Sequence, residues 1–220
     1  MRQKLIAAIA DRIIEMRHDG VLKIAIDGVD GAGKTCFADE LAEEMNGREA
    51  RVIRSSVDFF HNPRLKRYER GQFSPEGYFT DSFNYSKLKE VLLDPLSPGG
   101  SLVYQPAFFD HKKDQEVEVH KRTAASGSIL IFDGIFLHRN ELVKYWDFSI
   151  FLTVNFTVSV PRFAKRDKGP TDFRDPLNQR YVGGQELYFA ACSPSKRASL
   201  VIENNDLACP RVIGGESLEF

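Results

Sequence analysis

The sequence predicts an α/β fold: a doubly wound parallel sheet of about five strands with helices on both faces. Two observations predict it. The glycine-rich run GVDGAGKT, residues 28–35, follows an apolar stretch at 21–26 and leads into a segment with helical periodicity. Further apolar runs near residues 53, 130, 150 and 201 recur with helical or irregular segments between them, the pattern of strands joined by crossovers. The 220 residues, 42% hydrophobic and 28% charged, suffice for one domain spanning 1–220. A formal net charge of −1 supplies no global field for nucleic acid or an anionic membrane, so neither is an expected partner.

In chain order, residues 1–20 read as an amphipathic helix. Leu5, Ile6, Ile9, Ile13 and Met16 form one stripe, and Asp11 and Arg12 make the segment too polar for a signal peptide or membrane span. Gly20 is expected to end it. Residues 23–27 read as a buried strand. The run after it matches G-x-x-x-x-G-K-[ST], the phosphate-cradling spacing, and makes this a nucleotide-binding protein. Gly28, Gly31 and Gly33 permit a tight loop with inward N–H groups, and Val29, Asp30 and Ala32 complete it. Lys34 meets the terminal phosphates, Thr35 offers a hydroxyl to Mg²⁺, and Cys36 lies in the first turn of the helix that follows. Phe37, Leu41 and Met45 give that helix its apolar face.

Residues 51–57 read as a second strand ending at Asp58, where the carboxyl end of a strand meets the ligand crevice. A long irregular insertion follows at 61–85 and a short helix at 85–93, ended by Pro95 and the turn at 97–100. Residues 102–104 and 117–120 are expected to pair as an excursion carrying PAFFDHKKD. The apolar run 128–132 reads as a central strand and ends at Asp133, placed to reach a metal. A short helix at 141–146, a strand at 148–154 and a helix at 156–167 come next; that helix contains Pro161 and has a basic end, Arg162, Lys165, Arg166 and Lys168. The last strand is expected at 199–203, with a turn at 204–206. The three cysteines, Cys36, Cys192 and Cys209, match no zinc or C-x-x-C spacing and point to a reducing compartment, the cytoplasm.

Together, GVDGAGKT, Asp58 within SSVDFFHN and Asp133 within LIFDGIF resemble the uridine kinase and phosphoribulokinase group of P-loop small-molecule kinases. The resemblance implies a P-loop NTPase-type sheet, ATP and Mg²⁺ as cofactors, a substrate-binding insertion at about 59–122 and a lid at about 161–186. It makes Asp58 the general base, with Lys34, Arg162 and Arg166 acting on the transferring phosphoryl group. Thr35 and Asp133 would hold the metal. Asp81, followed by Ser82 and Phe83, resembles the stretch whose aspartate binds ribose hydroxyls. His111 matches a base-binding histidine, whereas phenylalanine replaces the expected tyrosine in the Phe108–Asp110 stretch, so that hydroxyl is absent. Bland alternatives stand beside these roles: Asp58 as a cap, Asp133 as a turn residue, Asp81 as a loop carboxylate, and the arginines as a solvated face. The implied reaction is phosphorylation of a hydroxyl on a small molecule, a nucleoside such as uridine. Pantothenate, a sugar or a phosphosugar is the second acceptor class, and a regulatory ATPase is a reading from a different class. Homo-oligomerisation stays open.

Overall fold

Alternation along the buried strands decides which helices lie on which side of the sheet. The computed structural model describes residues 1–218. Its strands are β1 (Leu22–Gly28), β2 (Val52–Ser56), β3 (Val103–Tyr104), β4 (Phe109–Asp110), β5 (Gln115–Glu116), β6 (Arg122–Thr123), β7 (Ile129–Gly134), β8 (Phe148–Thr153), β9 (Leu200–Glu203) and β10 (Arg211–Gly215). The helices are α1 (Arg2–Glu15), α2 (Lys34–Asn46), α3 (Arg64–Arg67), α4 (Pro75–Asp81), α5 (Tyr85–Leu88), α6 (Phe156–Asp167), α7 (Gln179–Cys192) and α8 (Pro194–Arg197).

The main sheet runs β10-β9-β8-β1-β7-β2, and its five strands from β9 to β2 are parallel. Leu22, Ile24 and Ile26 of β1, with Ile129 and Ile131 of β7 and Phe148 and Ile150 of β8, face α1 and α2. The intervening residues Ala25, Leu130, Phe132 and Phe151 face a second core built with Leu88, Tyr78 and Tyr188. Helices therefore cover both faces, as the periodicity predicts. Phe37, Leu41 and Met45 are all 0% exposed, and each such burial stabilises by about 1.5–3 kcal/mol.

Several elements differ from the sequence expectation. A sixth strand, β10, pairs antiparallel with β9, so the sheet is mixed. The excursion is two nested ladders, β3 with β6 and β4 with β5, while 117–120 is not a strand. Val117 is held there by its N–H to the Phe108 carbonyl. The segment 61–85 contains α3 and α4, and α5 runs on into a π turn at Lys89–Leu93. The helix expected at 141–146 is one 3₁₀ turn, Val143–Tyr145. Helix α1 stops at Glu15 with Met16 as its cap, ahead of Gly20. The main addition is α7, which packs against α4: a Cβ at Gly184 would lie 2.8 Å from the Tyr78 ring and 2.9 Å from the Pro75 carbonyl.

Candidate active site

The phosphate loop is fixed from behind. Asp27, at the end of β1 and 0% exposed, accepts from the N–H of Gly28 at 2.7 Å and of Leu137 at 3.1 Å. The same carboxylate meets the Tyr188 hydroxyl of α7 and the His138 ring, tying loop, sheet and α7 together. The side chains of Val29 and Ala32 point into the core, 3% and 0% exposed. Gly31 sits at φ +74°, and a Cβ there would stand 2.1 Å from the Ser159 carbonyl oxygen of α6. Only glycine lets α6 approach so closely.

Helix α2 begins at Lys34 with no side-chain cap, so its first-turn N–H groups are left for an anion, which the helix dipole also favours. Lys34 Nζ rests on the Val29 carbonyl at 2.8 Å. Asp30 is half-buried against α4 and α7: its carboxylate accepts from the Tyr78 hydroxyl at 2.5 Å and its N–H donates to Gln185 Oε1 at 2.8 Å. Burial pushes the Asp30 carboxyl above its usual range, opposed by the positive charge of Lys34 and the Tyr78 bond.

The register of β7 against β1 and β2 aligns Asp133 with Ile26 and Ser56, which brings it beside the start of α2. Thr35 Oγ1 donates to Asp133 Oδ2 at 2.8 Å, while Arg54 Nη2 donates to Asp133 Oδ1 at 2.9 Å. The guanidinium fixes one carboxylate oxygen and leaves the other turned to Thr35. A hydroxyl and a carboxylate oxygen suit Mg²⁺, which binds few protein ligands and keeps water and phosphate oxygens. Accordingly, no group of three or more His, Cys, Asp or Glu side chains among the described residues is arranged around a metal position.

These groups open onto a cavity of about 440 Å³. Asp30, Gly31, Gly33, Lys34, Thr35 and Cys36 line it from the loop, and Asp133 from β7. Asp58, Phe83 and His111 line it from the stretch between β2 and β7, and Arg162 and Arg166 from α6. Asp58 lies in a 3₁₀ turn, Val57–Phe60, whose start is capped by Ser56 Oγ. Another wall residue, His61, holds its Nδ1 2.9 Å from the Asp58 carbonyl and packs at a tilt against His111 and Phe83, with ring centroids at 4.9 and 4.6 Å. Burial lowers the His61 imidazole to about 4, assisted by the charges of His111 and Arg67 and opposed by that carbonyl. His61 is thus neutral at pH 7.

Five predicted residues, Gly28, Val29, Ala32, Asp81 and Phe108, are not in the cavity lining. Asp81 pairs with Arg70 at 2.9 Å, and Phe108 lies under the Lys87 ammonium, 5.1 Å from its ring centroid. Arg162 lines the cavity with its guanidinium bonded to the carbonyls of Asn204 and Asn205, and burial lowers its pKa from the usual guanidinium value. Arg166 lies over the Phe163 ring. Sequence reasoning aligned Arg180 only loosely with a lid arginine and missed Tyr78, Gln185, Arg54, Arg67 and Asn204. Asn204 Nδ2 donates to the Ala32 carbonyl at 2.8 Å, bracing the loop from beyond β9. None of these carries a spacing signal, because each comes to the site through tertiary contacts.

Among solved structures, a "Possible Uridine Kinase from Bacillus stearothermophilus" aligns with a TM-score of 0.70 at 23% identity, covering 90% of this chain and 97% of that one. A D-glycerate 3-kinase from Cryptococcus neoformans aligns with a TM-score of 0.59 at 9% identity, covering 97% and 99%. At these identities the likeness is one of fold. No curated protein matches the chain in sequence. The model of the Phosphoribulokinase / Uridine kinase family matches residues 23–170, a span that runs from β1 and the phosphate loop to the end of α6. The chain belongs to that family of small-molecule kinases.

Proposed function

We propose that the protein transfers the γ-phosphoryl group of ATP to a hydroxyl of a small molecule, with Mg²⁺. The observation that carries this reading is that the uncapped start of α2, the Thr35–Asp133 pair and Asp58 all face one cavity. The triphosphate would lie over the loop N–H groups, with Lys34 moving from the Val29 carbonyl to the terminal phosphates. Mg²⁺, held through Thr35 and Asp133, would neutralise the phosphate oxygens. Asp58 would orient the acceptor hydroxyl and take its proton as the new oxygen–phosphorus bond forms and the bond to the bridging oxygen of ADP breaks. Arg166 and Arg162 would stabilise the equatorial charge.

Of the acceptor classes, a nucleoside needs a carboxylate at its diol, and Asp81 is committed to Arg70 outside the cavity lining. That observation favours another hydroxyl-bearing metabolite, such as a sugar, a phosphosugar or pantothenate, over uridine. Acceptor-dependent ADP release from MgATP tests the reading: a rate that rises with one acceptor supports it, and full-rate hydrolysis independent of any acceptor replaces it with a regulatory ATPase.

A further inference from the structure

One charged group in the cavity takes no part in the phosphoryl transfer. Asp30 lies four residues before Lys34 in the phosphate loop and lines the cavity. The strongest charge acting on it is that of Lys34, followed by those of Asp58 and Arg166. A carboxylate beside a triphosphate repels it, and one so near Lys34 can take that ammonium for itself. Yet among the described residues no ion pair joins the two. Lys34 Nζ rests on the Val29 carbonyl at 2.8 Å, and Asp30 Oδ2 accepts from the Tyr78 hydroxyl of α4 at 2.5 Å. Tyr78 is the one donor to that carboxylate among the described residues. Burial, together with the Asp30 charge, pushes the Tyr78 phenol well above its usual range, so its hydroxyl keeps the proton it donates. The ring is buried and meets the rings of Phe136 and Tyr181 edge-on, with centroids at 5.4 and 5.0 Å, so it is fixed in place. The Asp30 main chain is held as well: its N–H donates to Oε1 of buried Gln185, whose Nε2 donates to the Tyr181 carbonyl at 2.8 Å. With ring and main chain both fixed, a single hydroxyl decides where the Asp30 carboxylate points.

We propose that Tyr78 is a positioning residue for nucleotide binding: its hydroxyl holds the Asp30 carboxylate toward α4 and so keeps the Lys34 ammonium available to the terminal phosphates. The inference rests on the kinase reading and goes beyond it, because it gives α4, which lies outside the phosphate loop and α6, a part in binding ATP. Without the hydroxyl, Asp30 keeps its charge and loses its donor, and Lys34 is the cation that acts on it most strongly. The nucleotide then has to displace an ion pair before its phosphates reach the ammonium.

A double-mutant cycle on the full chain tests this, with MgATP as the probe and its Kd read by calorimetry at pH 7. Tyr78→Phe keeps the ring and its packing and should raise the Kd about 3- to 30-fold. Asp30→Asn removes the competing charge and should lower the Kd about threefold or more. In the double variant the effect of Tyr78→Phe should vanish, because no carboxylate is left to capture Lys34. A tyrosine that only packs α4 against α7 would weaken binding equally with and without Asp30→Asn. Equal effects in the two backgrounds, or a Tyr78→Phe Kd equal to wild type, overturn the proposal and leave the kinase reading standing, since the wild type still binds ATP. Asp30→Asn that binds MgATP no more tightly than wild type overturns it too, because the carboxylate is then no competitor for Lys34. That single variant decides the matter if Tyr78→Phe fails to fold. A wild-type chain that binds no MgATP counts against the kinase reading and takes the proposal with it.

Discussion

Gly31→Ala probes the contact that seats the phosphate loop under α6. At φ +74°, an alanine occupies left-handed backbone, at a cost of about 1–2 kcal/mol. Its Cβ would lie 2.1 Å from the Ser159 oxygen, 3.0 Å from the Ser159 carbonyl carbon and 3.2 Å from the Phe163 nitrogen, all backbone atoms of α6. Backbone does not yield as a side chain does, and overlap of this kind adds about 1–3 kcal/mol. The expected destabilisation is about 2–5 kcal/mol, or a fall in Tm of roughly 4–20 °C for a domain of this size. Gly99→Ala separates the two contributions, because Gly99 has φ +80° with nothing within 4 Å of its built Cβ, so only the conformational cost remains. Thermal melts with and without MgATP give the readout. Gly31→Ala should melt well below Gly99→Ala and lose most of the ATP-induced shift, since α6 carries Arg162 and Arg166. Equal melting temperatures with equal ATP shifts would refute the claim that α6 rests on the loop.

His61 gives a pH signature. The free imidazole titrates near 6.5 and the folded one at about 4, so the unfolded chain takes up a proton that the folded chain refuses between these values. Stability should therefore fall as pH drops from about 6.5 to about 4, by at most about 3 kcal/mol, and His61→Asn should remove that part; urea unfolding at pH 7 and 5 checks it. Asp133→Asn removes the charge opposite Thr35 and Arg54, which should lower kcat/KM by about 10- to 100-fold and raise the Mg²⁺ concentration for half-maximal rate. An unchanged Mg²⁺ titration contradicts that role.

The strand, loop and helix spanning β1 to α2 were legible because local signals agree there: an apolar run, a glycine spacing and one helical stripe. Strands β7, β8 and β9 were legible for the same reason, as short apolar runs between turns. Helix α7 was not, because Gly183 and Gly184 in its middle lower helix propensity, and what holds it is close packing on Pro75 and Tyr78. Strand β10 carries no apolar run; its residues alternate between exposed and half-buried, and pairing with β9 defines it. At the site, the loop residues, Asp58 and Asp133 could be placed because strand ends mark the crevice. The Asp81 pairing with Arg70, and the presence of Arg67, Arg180 and Tyr78 in the cavity wall, depend on how α3, α4 and α7 fold over the cavity, which no spacing encodes.

The most direct measurement is phosphoryl transfer by Asp58→Asn, a substitution that keeps the shape of the side chain and removes its basicity. With the preferred acceptor and saturating MgATP, kcat should fall about 10²- to 10⁴-fold while the ATP-induced thermal shift stays as in the wild type. A kcat equal to wild type, with ATP still bound, would contradict the assignment of Asp58 as the base across the cavity from the phosphate loop.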